Sequence, residues 1–157
     1  MLVRADDPES VATARSLFRE YAEAIATDLE YQGFAAELAA LPASYVAPCG
    51  VLFVAYAGSD VAGCVGLRPL DRRTGELKRL YVRPAYRSRG LGKYLVESVI
   101  RAARQAGYQE LRLDTLPSMG SAQALYRRLG FVEIPPYNNP HLPGTRFYAL
   151  KLPASTA

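Results

Sequence analysis

Apolar positions along the chain follow two rhythms, and the places where one gives way to the other mark the elements. Val51 to Ala57 is densely apolar, Gly58-Ser59-Asp60 interrupts it, and Val61 to Leu67 resumes it, the pattern of a β-hairpin. The polar link Asp71 to Gly75 leads to a further strand at 76–82, whose apolar run Leu77, Leu80, Tyr81 and Val82 stops at Pro84. A period near 3.6 then takes over. Leu91, Leu95, Val99 and Ala102 share one side of a helix over about 91–106, while Lys93, Glu97, Arg101 and Arg104 share the other, and Gly107 ends it. Glu110 to Thr115 alternates Leu111 and Leu113 with Arg112 and Asp114 as a strand does. Ser121 to Leu129 is a short helix closed by Gly130, and 131–134 and 146–152 are the last strands.

Upstream of the hairpin, residues 1–4 read as a short strand. Asp7 and Pro8 supply an N-cap and first position for a helix running to about Thr27, with Leu17, Tyr21 and Ala24 as its inward stripe. A second helical pattern spans about 31–41, with Phe34, Leu38 and Leu41 on one face, before Pro42 and Pro48 bracket an irregular stretch. The 135–145 segment contains Pro135, Pro136, Pro140, Pro143 and Gly144, so it cannot pair inside a sheet and reads as a stiff surface loop.

With 157 residues, half of them apolar, the chain fits one domain over 1–157. No apolar run approaches the roughly 20 residues that cross a bilayer, and Arg4, Asp6 and Asp7 stand where a signal peptide would be apolar. The expectation is a soluble, cytoplasmic protein without a membrane partner. Cys49 and Cys64 lack metal-ligand spacing, which makes them small buried residues in or beside strands and leaves no metal site in view. Charge changes the picture more. Residues 68–104 hold 11 Lys/Arg against 3 Asp/Glu, a balance of +8, while the remainder carries −4. A cluster confined to one turn, without a recognition helix or zinc module, suits a small polyanion better than nucleic acid.

That turn is Arg87-Ser88-Arg89-Gly90-Leu91-Gly92-Lys93, between the end of a strand and the start of a helix. Gly90 and Gly92 permit positive φ or close approach to a ligand. The first N–H groups of a helix lack internal partners and sit at the positive end of its dipole, so a pyrophosphate placed there is stabilised by backbone alone.

The order strand, helix, helix, three meandering strands, helix, strand, helix and two strands, together with Arg87, Gly90 and Gly92 after a strand ending in Val82, resembles the GCN5-related N-acetyltransferase (GNAT) family. Ala122, Leu125, Tyr126, Gly130 and Phe131 fit that family's second signature. The resemblance implies an α/β (α+β) fold, a central mixed and mostly antiparallel sheet of about six to seven strands flanked by about four helices. It also implies acetyl-coenzyme A as cosubstrate. Its pyrophosphate would lie on the amides of Arg87, Ser88, Arg89, Gly90, Leu91, Gly92 and Lys93, and its pantetheine arm beside Leu80, Tyr81 and Val82. Many members carry Asn where this chain has Met119, with Ser118 and Ser121 nearby as replacements.

Two side chains carry the implied chemistry. Tyr126 matches the tyrosine that protonates the coenzyme A sulfur, or else packs against the cofactor arm. Glu76, 11 residues before Arg87, matches a strand glutamate that acts as general base; the alternative is an exposed carboxylate paired with Lys78 or Arg79. A base is useful because freeing a lysine-like amine of pKa about 10.4 at pH 7 costs about 4.6 kcal/mol. A backbone N–H at Tyr81 or Val82 would meet the tetrahedral oxyanion. His141 stands alone in the proline-rich loop, without a role. Arg68 and Arg79 could clamp an acceptor's carboxylate, or be solvated or paired. The expectation is direct transfer to an amine acceptor, a small molecule first, held among the first two helices, 42–50 and 135–145. A protein lysine or N-terminus as acceptor, and a non-catalytic coenzyme A sensor, are the rivals. Family members are often dimers, which leaves a homodimer open.

Overall fold

Strand alternation sorts the side chains into two layers. In the computed structural model, which describes residues 1–25 and 28–153, β2 (Val51–Ala57) sends Val51, Phe53 and Ala55 to one face of the sheet and Leu52 and Val54 to the other. Both faces are covered, which explains why this strand is apolar almost throughout.

Seven strands form one sheet in the order β1-β2-β3-β4-β5-β7-β6, with β1 (Leu2–Arg4), β3 (Asp60–Pro69), β4 (Thr74–Val82), β5 (Glu110–Thr115), β6 (Val132–Ile134) and β7 (Arg146–Lys151). Every neighbouring pair is antiparallel except β4 and β5. A parallel pair needs a crossover connection, and the helix α3 (Leu91–Gln105) provides it. This is the mixed, mostly antiparallel sheet expected of the GNAT fold. The helices α1 (Pro8–Ala24), α2 (Phe34–Ala40) and α4 (Gly120–Arg128) complete the layers.

On one face, Leu95, Val96, Val99 and Ala103 of α3 pack against Phe53, Val65, Leu67 and Leu77. On the other, Val11, Ala14, Leu17, Phe18 and Tyr21 of α1 cover Leu52, Val54, Cys64 and Tyr81. Each fully buried Leu or Phe contributes about 2 kcal/mol of transfer free energy. The Asp7 carboxylate accepts from the Ser10 N–H at 2.9 Å, and the Ser10 hydroxyl accepts from the Asp7 N–H at 3.4 Å, a reciprocal cap that starts α1 where Pro8 permits.

Several expectations need correction. Ala24 is exposed, and Phe18, Ala14 and Val11 take the inward positions with Leu17 and Tyr21. The expected end of that helix near Thr27 lies outside the described residues. The single helix over 31–41 is a 3₁₀ turn at Glu30–Gln32 followed by α2, broken at Gly33, whose φ of 70° only glycine adopts readily. Cys64 is buried as expected, but Cys49 is exposed, and both thiols are free.

Candidate active site

Pairing between β4 and β5 ends early. It joins Thr74 to Glu110, Gly75 to Leu111 and Glu76 to Arg112, and then the ladder stops, so the outer half of β4 leaves β5 and opens a cleft. A bulge drives the divergence. Between Cys64↔Tyr81 and Gly66↔Lys78 two steps on β3 face three on β4, and the extra residue falls at Arg79, whose φ is 60°. An arginine in the left-handed region is strained and persists only where its surroundings hold it. Here they do: Arg79 is 3% exposed. Its Nε donates to Glu37 Oε2 at 2.9 Å and its Nη1 to Gln32 Oε1 at 2.8 Å, and the guanidinium lies 5.1 Å and 5.7 Å from the Phe34 and Tyr21 ring centroids. Gly63 on β3 allows the close approach, since a Cβ there would overlap the Tyr81 carbonyl oxygen.

The cleft holds about 440 Å³ and is lined on the strand side by Leu80, Tyr81 and Val82. Val82 O accepts from Arg87 Nε at 2.9 Å, so the Val82 main chain faces away from β3. N–H and C=O of one strand residue point to the same side and neighbours alternate. Val82 and Leu80 therefore present their N–H groups to the cleft, and Tyr81 presents its own to β3. Of the two amides named from the sequence, that of Val82 is the one that faces the cleft.

The glycine turn forms the next wall, with Tyr86, Arg87, Ser88, Gly90, Leu91 and Gly92. Gly90 is the N-cap of α3 with φ 80°, and no side chain caps the helix there; the first intrahelical bond is Tyr94 N–H to Gly90 O at 3.0 Å. The amides of Leu91, Gly92 and Lys93 thus stand at a helix N-terminus beside the cleft. Arg89 and Lys93 are exposed and their side chains are not part of the lining; Arg89 lies 5.9 Å over the Tyr86 ring. The far wall is the start of α4, with Ser118, Met119, Ser121, Ala122 and Leu125. Met119 is the α4 N-cap position.

Behind this cleft, and sharing Tyr21, Leu80 and Met119 with it, lies a narrow recess lined also by Lys78, Asp114, Thr115 and Tyr126. Tyr126 is 3% exposed, packed against Phe131 at 5.6 Å between ring centroids. Burial, and less strongly the Tyr21 and Asp114 charges, push its phenol well above the usual 10, so it is held protonated, as a proton donor must be. Lys78 and Asp114 form a buried ion pair at 3.3 Å. Burial pulls against the charge of both. The Lys78 ammonium and the Asn138 amide, which donates at 2.9 Å, nevertheless hold the Asp114 carboxyl below the usual aspartate range.

Glu76 sits elsewhere. At 2% exposed, it accepts from Arg68 Nε at 2.9 Å on one oxygen and from the Tyr137 hydroxyl at 2.7 Å on the other, and it lines neither cavity. It is neither an exposed carboxylate nor a partner of Lys78 or Arg79. Arg68 and Arg79 are likewise committed, both to Glu37 and Arg68 also to Glu76, so no free pair of arginines waits for a carboxylate. His141 is exposed, its Nδ1 3.0 Å from Asn138 O.

Sequence reasoning missed Lys78, Asn138 and Tyr137. Tyr137 and Asn138 are consecutive, and they bond the proline-rich loop down onto Glu76 and Asp114 of adjacent strands. A hint was present in the alternation of Glu76 and Lys78 on β4 with Arg112 and Asp114 on β5, which puts charged residues on one face of two buried strands.

The description "Acetyltransferase (GNAT) family" matches residues 11–131. The chain belongs to the GNAT family of acetyltransferases and is an acetyl-coenzyme A-dependent acetyltransferase. An uncharacterized N-acetyltransferase of Schizosaccharomyces pombe is 33% identical over 147 residues, covering 92% of this chain and 90% of its own length. A GNAT-family acetyltransferase structure from Staphylococcus aureus Mu50 superposes with a TM-score of 0.80 over 98% of this chain and 99% of that one, at 23% identity. A GNAT acetyltransferase of Elizabethkingia anophelis with acetyl-CoA bound has a TM-score of 0.57 and 25% identity, over 66% of this chain and 77% of that one. No helix among the described residues is long and apolar enough to cross a membrane.

Proposed function

We propose that the chain transfers acetyl from acetyl-coenzyme A directly to the primary amine of a small molecule, with both bound at once. The observation that carries this reading is a cleft with a recess behind it: the uncapped amides at the start of α3, then the edge of Leu80 to Val82 that β5 leaves uncovered, then the recess lined by Tyr126. Each segment suits one part of the donor. The phosphates meet amides and a helix dipole, with Arg87 nearby; the pantetheine amides add to a free strand edge; the thioester arrives beside a buried phenol.

Tyr126 is the proposed general acid for the sulfur. The Val82 N–H, possessing no strand partner on its open side, is the proposed donor to the oxyanion. Ser118 and Ser121, both on the cleft wall, take over the polar contact that Met119 does not make. Glu76 enters as the final acceptor of the amine's proton rather than as a group touching the amine, with the Tyr137 hydroxyl as relay. Strapping of the 135–145 loop onto the sheet at Glu76 and Asp114 narrows the acceptor side, which favours a small amine over an extended peptide.

The test is release of coenzyme A thiol from acetyl-coenzyme A across a panel of small amines, peptides and one folded lysine-rich protein. Turnover with small amines supports the proposal. Turnover with the protein alone transfers the assignment to a protein acetyltransferase, and tight cofactor binding with no thiol release from any acceptor marks a sensor.

A further inference from the structure

Burial sets a problem for Tyr126 that the cleft alone does not solve. A phenol that gives its proton to sulfur becomes a phenolate, and an unpaired anion in a site 3% exposed is strongly disfavoured. Asp114 makes it worse, since its carboxylate shares the recess and its field opposes a second negative charge. The recess needs a cation.

Two of its lining residues are cationic, Lys78 and Arg79. The Arg79 guanidinium is already bonded to Glu37 and Gln32. Lys78 is 4% exposed and its Nζ is 3.3 Å from Asp114 Oδ1. It is also one of only three lysines in a chain that has 19 basic residues, so the compact ammonium occurs here where arginine is the habitual choice. An ammonium is a point charge that fits a narrow recess, which a guanidinium fork does not.

We propose that Lys78 is a positioning residue for acetyl transfer: its ammonium, anchored by Asp114, neutralises that carboxylate toward Tyr126 and stabilises the phenolate left when Tyr126 protonates the sulfur. The proposal rests on Tyr126 being the general acid. In the step itself the acceptor nitrogen bonds to the acetyl carbon, the carbon–sulfur bond breaks with its electron pair going to sulfur, and the Tyr126 proton follows. The products are the amide, coenzyme A thiol and a phenolate. One proton from solvent resets the phenolate, equal in number to the one the amine sheds on acylation.

The surroundings of Lys78 pull both ways, and the net direction is downward from the usual lysine range. Burial draws the ammonium toward its neutral form, and Arg79 and Arg68 add to that pull; Asp114 on β5 and Glu76 on β4 oppose it. Asn138, reaching from the loop to the other oxygen of Asp114, fixes the carboxylate on the Lys78 side.

A double-mutant cycle separates this from mere structural support. Lys78→Met is expected to lower kcat on the order of a hundredfold, as loss of one preorganised electrostatic group does, with the Kd for acetyl-coenzyme A close to wild type and the Tm lowered because Asp114 loses its buried partner. Lys78→Arg, which keeps the charge, should recover part of that loss. In a Tyr126→Phe background, where no phenolate forms, Lys78→Met should cost less than about threefold further. If the two losses multiply in the double variant, or if Lys78→Met leaves kcat unchanged, Lys78 does not act through Tyr126 and the proposal fails while the general acid stands. If Tyr126→Phe itself leaves kcat unchanged, both fall. Should the Met variant not fold, Lys78→Gln, whose amide still donates to Asp114, takes its place in the same cycle.

Discussion

Removing Glu37 tests how the cleft is held open. Its carboxylate accepts from Arg79 Nε at 2.9 Å and Nη2 at 3.3 Å and from Arg68 Nη1 at 3.3 Å, with Arg79 and Glu37 side chains 1% and 8% exposed. Glu37→Ala leaves a buried guanidinium with Gln32 and two ring faces in place of its anion. Breaking one side of a buried pair costs about 3–5 kcal/mol, and the remaining contacts put this case at about 3 kcal/mol. For a chain of this length that is a Tm lower by roughly 6–12 °C. Urea unfolding of wild type, Glu37→Ala and Glu37→Gln at neutral pH measures it; Gln retains one acceptor oxygen and should lose about half as much. The same pair holds Arg79 in its strained bulge, so the KM for acetyl-coenzyme A should rise in step with the stability loss. A loss under about 1 kcal/mol, the range of exposed ion pairs, together with an unchanged KM, would refute the claim that Glu37 fixes the bulge.

Three further outcomes follow from the same geometry. Gly90→Ala, forced to φ 80°, should destabilise the fold by about 1–2 kcal/mol and weaken acetyl-coenzyme A binding in calorimetric titration, because the α3 amides lose their aim; intact affinity would contradict the phosphate site. Tyr137→Phe and Glu76→Gln should lower kcat by similar factors and not multiply when combined, if they form one relay; independent losses would mean that water carries the proton. Acidification tests Asp114. Its folded pKa lies below the ordinary 3.8, so its pairing supports the fold fully above that pH and is lost as pH falls through the lower, folded value. Asp114→Asn should therefore show a shallower acid limb in stability against pH than wild type, and an identical limb would show that the carboxyl is not perturbed.

How much was legible in the sequence differs between fold and site, for a physical reason. Strands and helices announce themselves by local period: Val51 to Ala57 and Leu91 to Ala106 read correctly because burial on one or both faces writes itself into neighbouring residues. Gly33 stands inside a segment whose apolar spacing on both sides reads as one helix, so the break there is masked by the period around it. Ala24 misled because a small apolar residue satisfies the helical period whether or not anything packs on it. The glycine turn at the start of α3 was legible because the positive φ of Gly90 and the helix start after it are encoded by residues close in sequence. The bulge at Arg79 was not. Its strained φ is held by Glu37, 42 residues away, and no local pattern encodes such a partner. For the same reason Glu76 drew attention as a candidate base while Tyr137, 61 residues on, which occupies one of its oxygens, went unseen. Lys78 reads in the sequence as a candidate partner for Glu76, because its actual partner, Asp114 on β5, lies 36 residues on.

The most direct test of the central claim is a crystal structure of the protein with acetyl-coenzyme A. The account predicts the pyrophosphate on the amides of Leu91 to Lys93, the pantetheine along the open edge of Leu80 to Val82, and the sulfur within hydrogen-bonding reach of the Tyr126 hydroxyl. A cofactor bound away from the β4–β5 opening, or a thioester directed away from Tyr126, would contradict it.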